Sequence, residues 1–357
     1  MGPRAAVTVM LEPEGREHGT RAVRLGILDQ APIPAGAGGA EALAHSLDLA
    51  RLADRLGYHR YWVAEHHNSP GLACASPEVL IGPIAAATTL LRVGSGGVML
   101  PHYSPLKVAE SFAMLAALYP GRIDLGLGRA PGSDPATAFA LQRDRRRAAP
   151  DDFPEQLGEL LGYFQGRTPA EGPLLWPPAL PGLPHRPEPW LLGSSPQSAL
   201  WAADFGLPYA FADFINPAGA PLAAAYRARA GAAGGAPRVI VAAGAICAET
   251  DAEAQRLAAS VRMMLALLHR GRLVAVPPVE EALQFLAEQP DALPRGRRLI
   301  VGDPGVVRSQ ILALADEYAA EEVLIVTIVH EHAARRRSYE RIADAFGLPG
   351  PDGAAGA

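Results

Sequence analysis

Arg60-Tyr61-Trp62-Val63-Ala64-Glu65-His66-His67 is an aromatic and β-branched run that passes directly into three polar residues. Asn68, Ser69, Pro70 and Gly71 behind them are turn formers, so a strand ends where the polar chemistry begins. A second apolar run, Arg92-Val93-Gly94-Ser95-Gly96-Gly97-Val98-Met99-Leu100-Pro101, lacks side chains at its centre. Glycine inside a strand marks a bulge or the close approach of another group. A third run, Arg122-Ile123-Asp124-Leu125-Gly126-Leu127-Gly128-Arg129, alternates Ile123, Leu125 and Leu127 with Asp124, Gly126 and Gly128, which gives one bulky face and one small face.

Strand and helix signals alternate outward from this segment. A strand is predicted over 24–28, then a helix with Leu43, Leu47, Ala50 and Ala53 at helical spacing. Ser76-Pro77-Glu78 and Ser104-Pro105-Leu106 each place a capping serine before a proline suited to the first helical position. The second of these helices carries Val108, Phe112, Leu115 and Tyr119 on one face and is closed by Gly121. Residues 130–153 read as an excursion before a helix over 154–164, and the proline-rich stretch 174–189 as a stiff connector. Further strands are predicted over 189–193, 208–211, 238–247 and 322–327, and further helices over 194–205, 251–269, 304–318 and 335–346. Between Arg270 and Gly302, four prolines interrupt a long loop with one short helix over 279–288; loops of this length often serve as lids.

Eight strands in a regular βα series are most simply closed into a ring of parallel strands, the TIM (β/α)8 barrel of the α/β class, with a long loop insertion before the last helix–strand unit. An open doubly wound sheet satisfies the same alternation. The barrel is preferred because it brings Glu65, Gly96, Arg129 and Ser194, all at strand ends, to one face. One barrel domain over 24–347 is expected, with a flexible extension over 1–23 and a flexible tail over 348–357.

Composition narrows the function classes. Hydrophobic residues make up 49% of the 357 and charged ones 19%, which supports a large core and excludes disorder of the whole chain. A net charge of -5, with basic triplets only at Arg145-Arg146-Arg147 and Arg335-Arg336-Arg337, argues against a nucleic-acid partner. Cys74 and Cys247 lie far apart, which fits a reducing compartment and offers no thiol metal site. With no long uninterrupted apolar run and no apolar centre near the N-terminus, no membrane association is expected and the cytoplasm is the expected location.

Glu65-His66-His67 could bind a metal only if neighbouring strand-end residues pointed the same way, which they do not, so no metal site is expected. The histidines suit acid–base chemistry, or hydrogen bonding to loop backbone. Gly126 to Gly132 has GxGxxxG spacing with Pro131 where a helix should begin, unlike a dinucleotide loop. Arg129 is an anion-binding candidate, or else a surface arginine paired with Asp124 or Asp134. Gly193-Ser194-Ser195-Pro196-Gln197-Ser198 lacks the final glycine of a nucleophile elbow. As a helix start, Ser194, Ser195 and Ser198 beside free backbone N–H groups form a phosphate cradle, or an ordinary N-cap. Two phosphate candidates with a glycine-faced strand between Glu65 and Arg129 fit a ligand with a flat ring and a phosphate tail, the shape of FMN.

These stretches resemble the luciferase-like flavin monooxygenases, the family that includes the bacterial luciferase subunits, and within it the LLM class of flavin-dependent oxidoreductases. The resemblance covers about 24–346. It rests on Ala64 to His67, Val93 to Pro101, Tyr119 to Arg129, and Gly193-Ser194-Ser195 with Trp201-Ala202-Ala203. It implies a TIM barrel with reduced FMN across its C-terminal mouth, over a non-prolyl cis peptide at Gly96-Gly97 beside Ser95. Arg129, Gly193, Ser194, Ser195 and Ser198 would hold the phosphate. Glu65 would lie near the ring, and His66 would act as general base or proton shuttle. The implied reaction inserts one atom of O2 into a small organic substrate through a flavin C4a-peroxide, shielded from water by a lid at 270–302. NAD(P)H would act indirectly, through a separate flavin reductase, and a homodimer formed through early helices is implied. Light-emitting members carry cysteine where Gly128 stands here, so bioluminescence is not implied. Sister members of the superfamily transfer hydride with F420, which is an alternative reading; a flavin-binding protein without catalysis is another.

Overall fold

The computed structural model describes residues 23–129, 134–142, 145–146, 151–165, 182, 184–289 and 298–350. Most of the expected extension and tail, 1–22 and 351–357, lies outside them. In chain order the elements are β1 (Arg24–Asp29), α1 (Gly39–Leu56), β2 (Arg60–Val63), α2 (Pro77–Ala86), β3 (Arg92–Met99), α3 (Pro105–Leu118), β4 (Ile123–Gly128), α4 (Pro135–Leu141), α5 (Phe153–Gln165), β5 (Glu188–Gly193) and α6 (Pro196–Asp204). Then follow β6 (Tyr209–Ala212), α7 (Ala220–Ala232), β7 (Val239–Cys247), α8 (Asp251–Leu257), α9 (Ala259–His269), α10 (Val279–Glu288), β8 (Leu299–Gly302), α11 (Pro304–Tyr318), β9 (Glu322–Val326) and α12 (His332–Phe346).

Eight of the nine strands among the described residues close into a ring. β1 to β7 pair in order, β7 pairs with β9, and β9 pairs with β1, all in parallel. This is the TIM barrel expected from the sequence, and its eight strands are the eight read there. β7 and β9 are buried along their whole length, as parallel strands must be with helices outside and a filled barrel inside.

The barrel interior has an ionic floor and an apolar middle. Arg60, on β2, reaches Glu322 at 3.0 Å and Asp124 at 2.5 Å, and its guanidinium stacks over Trp190 at 4.8 Å. Arg92 joins Asp124 to Glu188, and Arg238 pairs with Glu188 at 2.5 Å. Above this floor sit Trp62, Trp190, Leu28, Ile240 and Leu324.

Several elements depart from the sequence reading. Residues 299–302 form β8, which pairs only with the C-terminal end of β7, from Gly244 to Cys247. The helix predicted over 251–269 breaks at Ala258 into α8 and α9. The alanine-rich α7, with Ala223, Tyr226 and Ala230 buried, carries too weak an apolar stripe to be read from sequence. Ser76 and Ser104 precede α2 and α3 as expected, but neither side chain caps its helix. In the segment expected to be a lid, Val276 is fully buried and exchanges backbone hydrogen bonds with Ile33 and Ala35 at 2.8 Å. Residues 290–297 of that segment lie outside the described residues.

Candidate active site at the barrel mouth

Toward the C-terminal ends of the strands the inward side chains become small. Ala64, Gly96, Ala210, Ala212 and Ala242 leave a cavity of about 180 Å³ that Glu65, His66, Gly97, Met99, Gly128, Arg129, Gly193 and Ser194 also line. The sequence thus brings most of its candidate residues to one place, because each ends a strand of the same closed ring.

The Gly96-Gly97 peptide is cis, as the resemblance implied. The glycines also serve packing. A Cβ on Gly97 would lie 2.7 Å from the Gly126 carbonyl oxygen, and one on Gly126 would lie 2.1 Å from that of Ser95. The close approach read from the glycines is therefore, at these two positions, that of strand to strand, where the β3–β4 register shifts between Ser95 and Val98. Ser95 itself is fully buried, donates its hydroxyl to the Gly126 carbonyl at 2.9 Å, and is not among the residues lining the cavity.

Glu65 and His66 occupy different environments. Glu65 is fully buried and both carboxylate oxygens are engaged: Oε1 meets His67 Nε2 at 2.7 Å and the Tyr103 hydroxyl at 3.0 Å, and Oε2 accepts the Met99 N–H at 3.0 Å. The carboxylate ties the end of β2 to the end of β3. Burial and the adjacent carboxylate raise the Tyr103 phenol, which stays protonated as the donor. His66 Nδ1 is buried with no hydrogen-bond partner among the described residues. Burial, and then His67, push its pKa down to about 4, so the imidazole is neutral at physiological pH.

At the opposite side lies the helix start. Ser195 caps α6, its hydroxyl accepting the Ser198 N–H, and the Ser198 hydroxyl accepts the Ser195 N–H in return. Ser198 also donates to the Ser195 carbonyl at 2.8 Å and lies 3.0 Å from the Tyr209 hydroxyl. Ser195 and Ser198 therefore build the helix terminus, while Gly193 and Ser194 line the cavity. Of the partners considered for Arg129, Asp124 is held by Arg60 and Arg92, and Asp134 caps α4. Arg129 instead stacks over Trp201 at 5.4 Å and, among the described residues, has a distant, exposed ion pair with Asp151 at 3.8 Å.

A second cavity of about 270 Å³ adjoins the first and shares Gln30, His66, Phe214 and Ile215 with it. Its walls come from α9, residues 272–274, β8, the end of β9 and the turn after β2. Sequence reasoning missed Gln30, whose signal was its place directly behind β1. The two cysteines are buried, and burial first raises Cys74 to about 12 and Cys247 to about 11, so neither is a thiolate nucleophile.

The family model described as luciferase-like monooxygenase matches residues 23–342. A luciferase-like monooxygenase of Escherichia coli K12 is 42% identical over 330 residues, covering 91% of this chain and 97% of its own. The N-acetyl-S-alkylcysteine monooxygenase of Bacillus subtilis 168 is 37% identical over 328 residues, covering 90% of this chain and 98% of its own. The crystal structure of apo-MsnO8 superimposes with a TM-score of 0.82 at 42% identity, over 93% of this chain and 99% of that one. With the same ring of strands and a match over nearly the whole length, the chain belongs to the luciferase-like monooxygenase family and is an oxygenase.

Proposed function

We propose that the protein is an FMN-dependent monooxygenase that uses reduced FMN and O2 to oxygenate a small organic substrate. The observation that carries this reading is the cavity at the barrel mouth, with a bare Gly96-Gly97 floor, Arg129 and Ser194 along one wall, and His66 among its other lining residues. The donor set fits the cofactor. Arg129 carries a permanent charge, held in place by Trp201 and little committed to Asp151, and Ser194 precedes a capped helix of nine residues whose N-terminal N–H groups favour a phosphate. The small residues on the inner wall leave room for a planar ring.

Reduced FMN, when bound, supplies the two electrons with which one atom of O2 enters the substrate while the other leaves as water. The chain's own residues do the rest. Glu65 positions the ends of β2 and β3, and His66 lines the cavity with a neutral ring that can hydrogen-bond or take a proton. The similarity to the N-acetyl-S-alkylcysteine monooxygenase of Bacillus subtilis supports a small organic substrate here. NAD(P)H would enter through a separate flavin reductase, since the glycine-rich stretch after β4 lacks dinucleotide-loop spacing. A homodimer through α2 and α3 is supported by Val79, Met114 and Leu118, all exposed on these two helices.

The test is an anaerobic titration with reduced FMN, with F420 alongside. Reduced FMN is expected to bind more tightly than F420, and Arg129→Glu is expected to weaken it by about tenfold or more. FMN affinity unchanged by that charge reversal would end this reading.

A further inference from the structure

The second cavity has an apolar wall with a one-signed charge. Leu72, Val261, Met264, Leu265, Leu268 and Leu273 are among its lining residues, and no aspartate or glutamate among the described residues lines it. Two arginines do. Arg298 is neutralised by Asp213 at 3.4 Å and Glu317 at 2.6 Å. Arg272 is exposed and has no acidic partner among the described residues. Both arginines line this cavity and neither lines the first one.

The four residues shared by the two cavities carry no acid and no permanent cation. Phe214 and Ile215 are apolar and Gln30 is an uncharged amide, while His66 is neutral at physiological pH. A ligand spanning the second cavity thus meets a neutral passage where it approaches the first and an uncommitted guanidinium elsewhere on its wall. A guanidinium without a carboxylate partner is matched by a carboxylate or another oxyanion of the ligand, in fork geometry.

We infer that the second cavity is the substrate site, and that it takes an organic anion with an apolar body, the anionic group paired with Arg272 and the body laid on the α9 leucines toward Gln30 and His66. A volume of about 270 Å³ lies near the lower end of small-molecule sites, which keeps the ligand small. This assignment rests on the flavin reading for the reaction, and on the cavity's own chemistry for the ligand class.

Equilibrium dialysis of the full chain with sodium octanoate and with octanamide, with and without FMN, tests it. The two probes share an apolar body and differ in charge. Octanoate is expected to bind about fivefold more tightly than octanamide, from an ion pair at a partly exposed site. Arg272→Gln should abolish that preference and leave octanamide binding unchanged. Met264→Trp, which fills the cavity from a half-buried position, should weaken both probes, and Leu268→Trp repeats this from an exposed one if the first variant does not fold. The inference is overturned if octanamide binds as well as octanoate, if the preference survives Arg272→Gln, or if neither probe binds. Selective octanoate binding in a chain that does not bind FMN would leave the anion site standing and remove the flavin reading instead.

Discussion

His66 Nδ1 has no partner among the described residues, and that single atom separates a chemical from a packing role. His67 beside it is instead bonded to Glu65 through Nε2. The low pKa has a consequence for stability. In the unfolded chain the imidazole takes a proton near its ordinary 6.5, and in the folded protein only near about 4, so between these values the unfolded state binds more protons. Stability contributed by keeping the ring neutral is complete above 6.5 and is lost as the pH falls toward 4. His66→Asn removes the titration, and its unfolding free energy is expected to fall less on acidification from neutrality to about pH 4.5, by roughly 2 kcal/mol. Urea unfolding of both proteins at the two pH values checks this; equal losses would show that His66 does not titrate in this way.

The helix that follows β5 shows how hydrogen bonds within one element shape a site. A Cβ on Gly193 would sit 2.1 Å from the Ser198 hydroxyl oxygen, so Gly193→Ala must displace the first turn of α6. Ser195→Ala removes only one half of the capping box. Loss of the cap is expected to cost about 1 kcal/mol, and the forced packing change about 1 to 3 kcal/mol, both read by chemical denaturation. A Gly193→Ala variant as stable as the parent would mean that this turn yields freely. At the same scale, Ser194 and Ser195 read alike in the sequence, yet one lines the cavity and the other turns inward. Hydrogen bonding to neighbours within the element separates them, and no spacing rule shows it.

Across the whole molecule, the ionic floor joins residues far apart in the chain: Arg60 meets Asp124, 64 positions on, and Glu322, 262 positions on. Removing the shared cation strands the buried Glu322 carboxylate and leaves Asp124 only Arg92 and Trp62, so Arg60→Met is expected to cost about 3 to 5 kcal/mol in denaturant unfolding. A neutral effect would show that water or a shifted Arg92 fills the gap. The outer surface makes the complementary prediction. Leu118 is 68% exposed and Met114 58% on the same helix, so Leu118→Arg is expected to convert the proposed dimer to a monomer in sedimentation, with folding intact. An unchanged sedimentation coefficient would place any dimer contact elsewhere.

The sequence by itself determined the eight strands, most of the helices between them and the strand-end positions of His66, Gly96 and Arg129. These follow from alternation, helical spacing and glycine or proline punctuation, which act within a few residues. Only the tertiary structure decided that 299–302 would form a strand, because its partner is the overhanging end of β7. Only closure of the ring decided that Glu65 would be consumed by His67, Tyr103 and Met99 while His66 Nδ1 met no partner among the described residues, and that Arg272 would line an apolar chamber. Those outcomes depend on which distant groups arrive in a shared low-dielectric space, and a burial-driven contact between remote positions leaves no periodic trace in the chain.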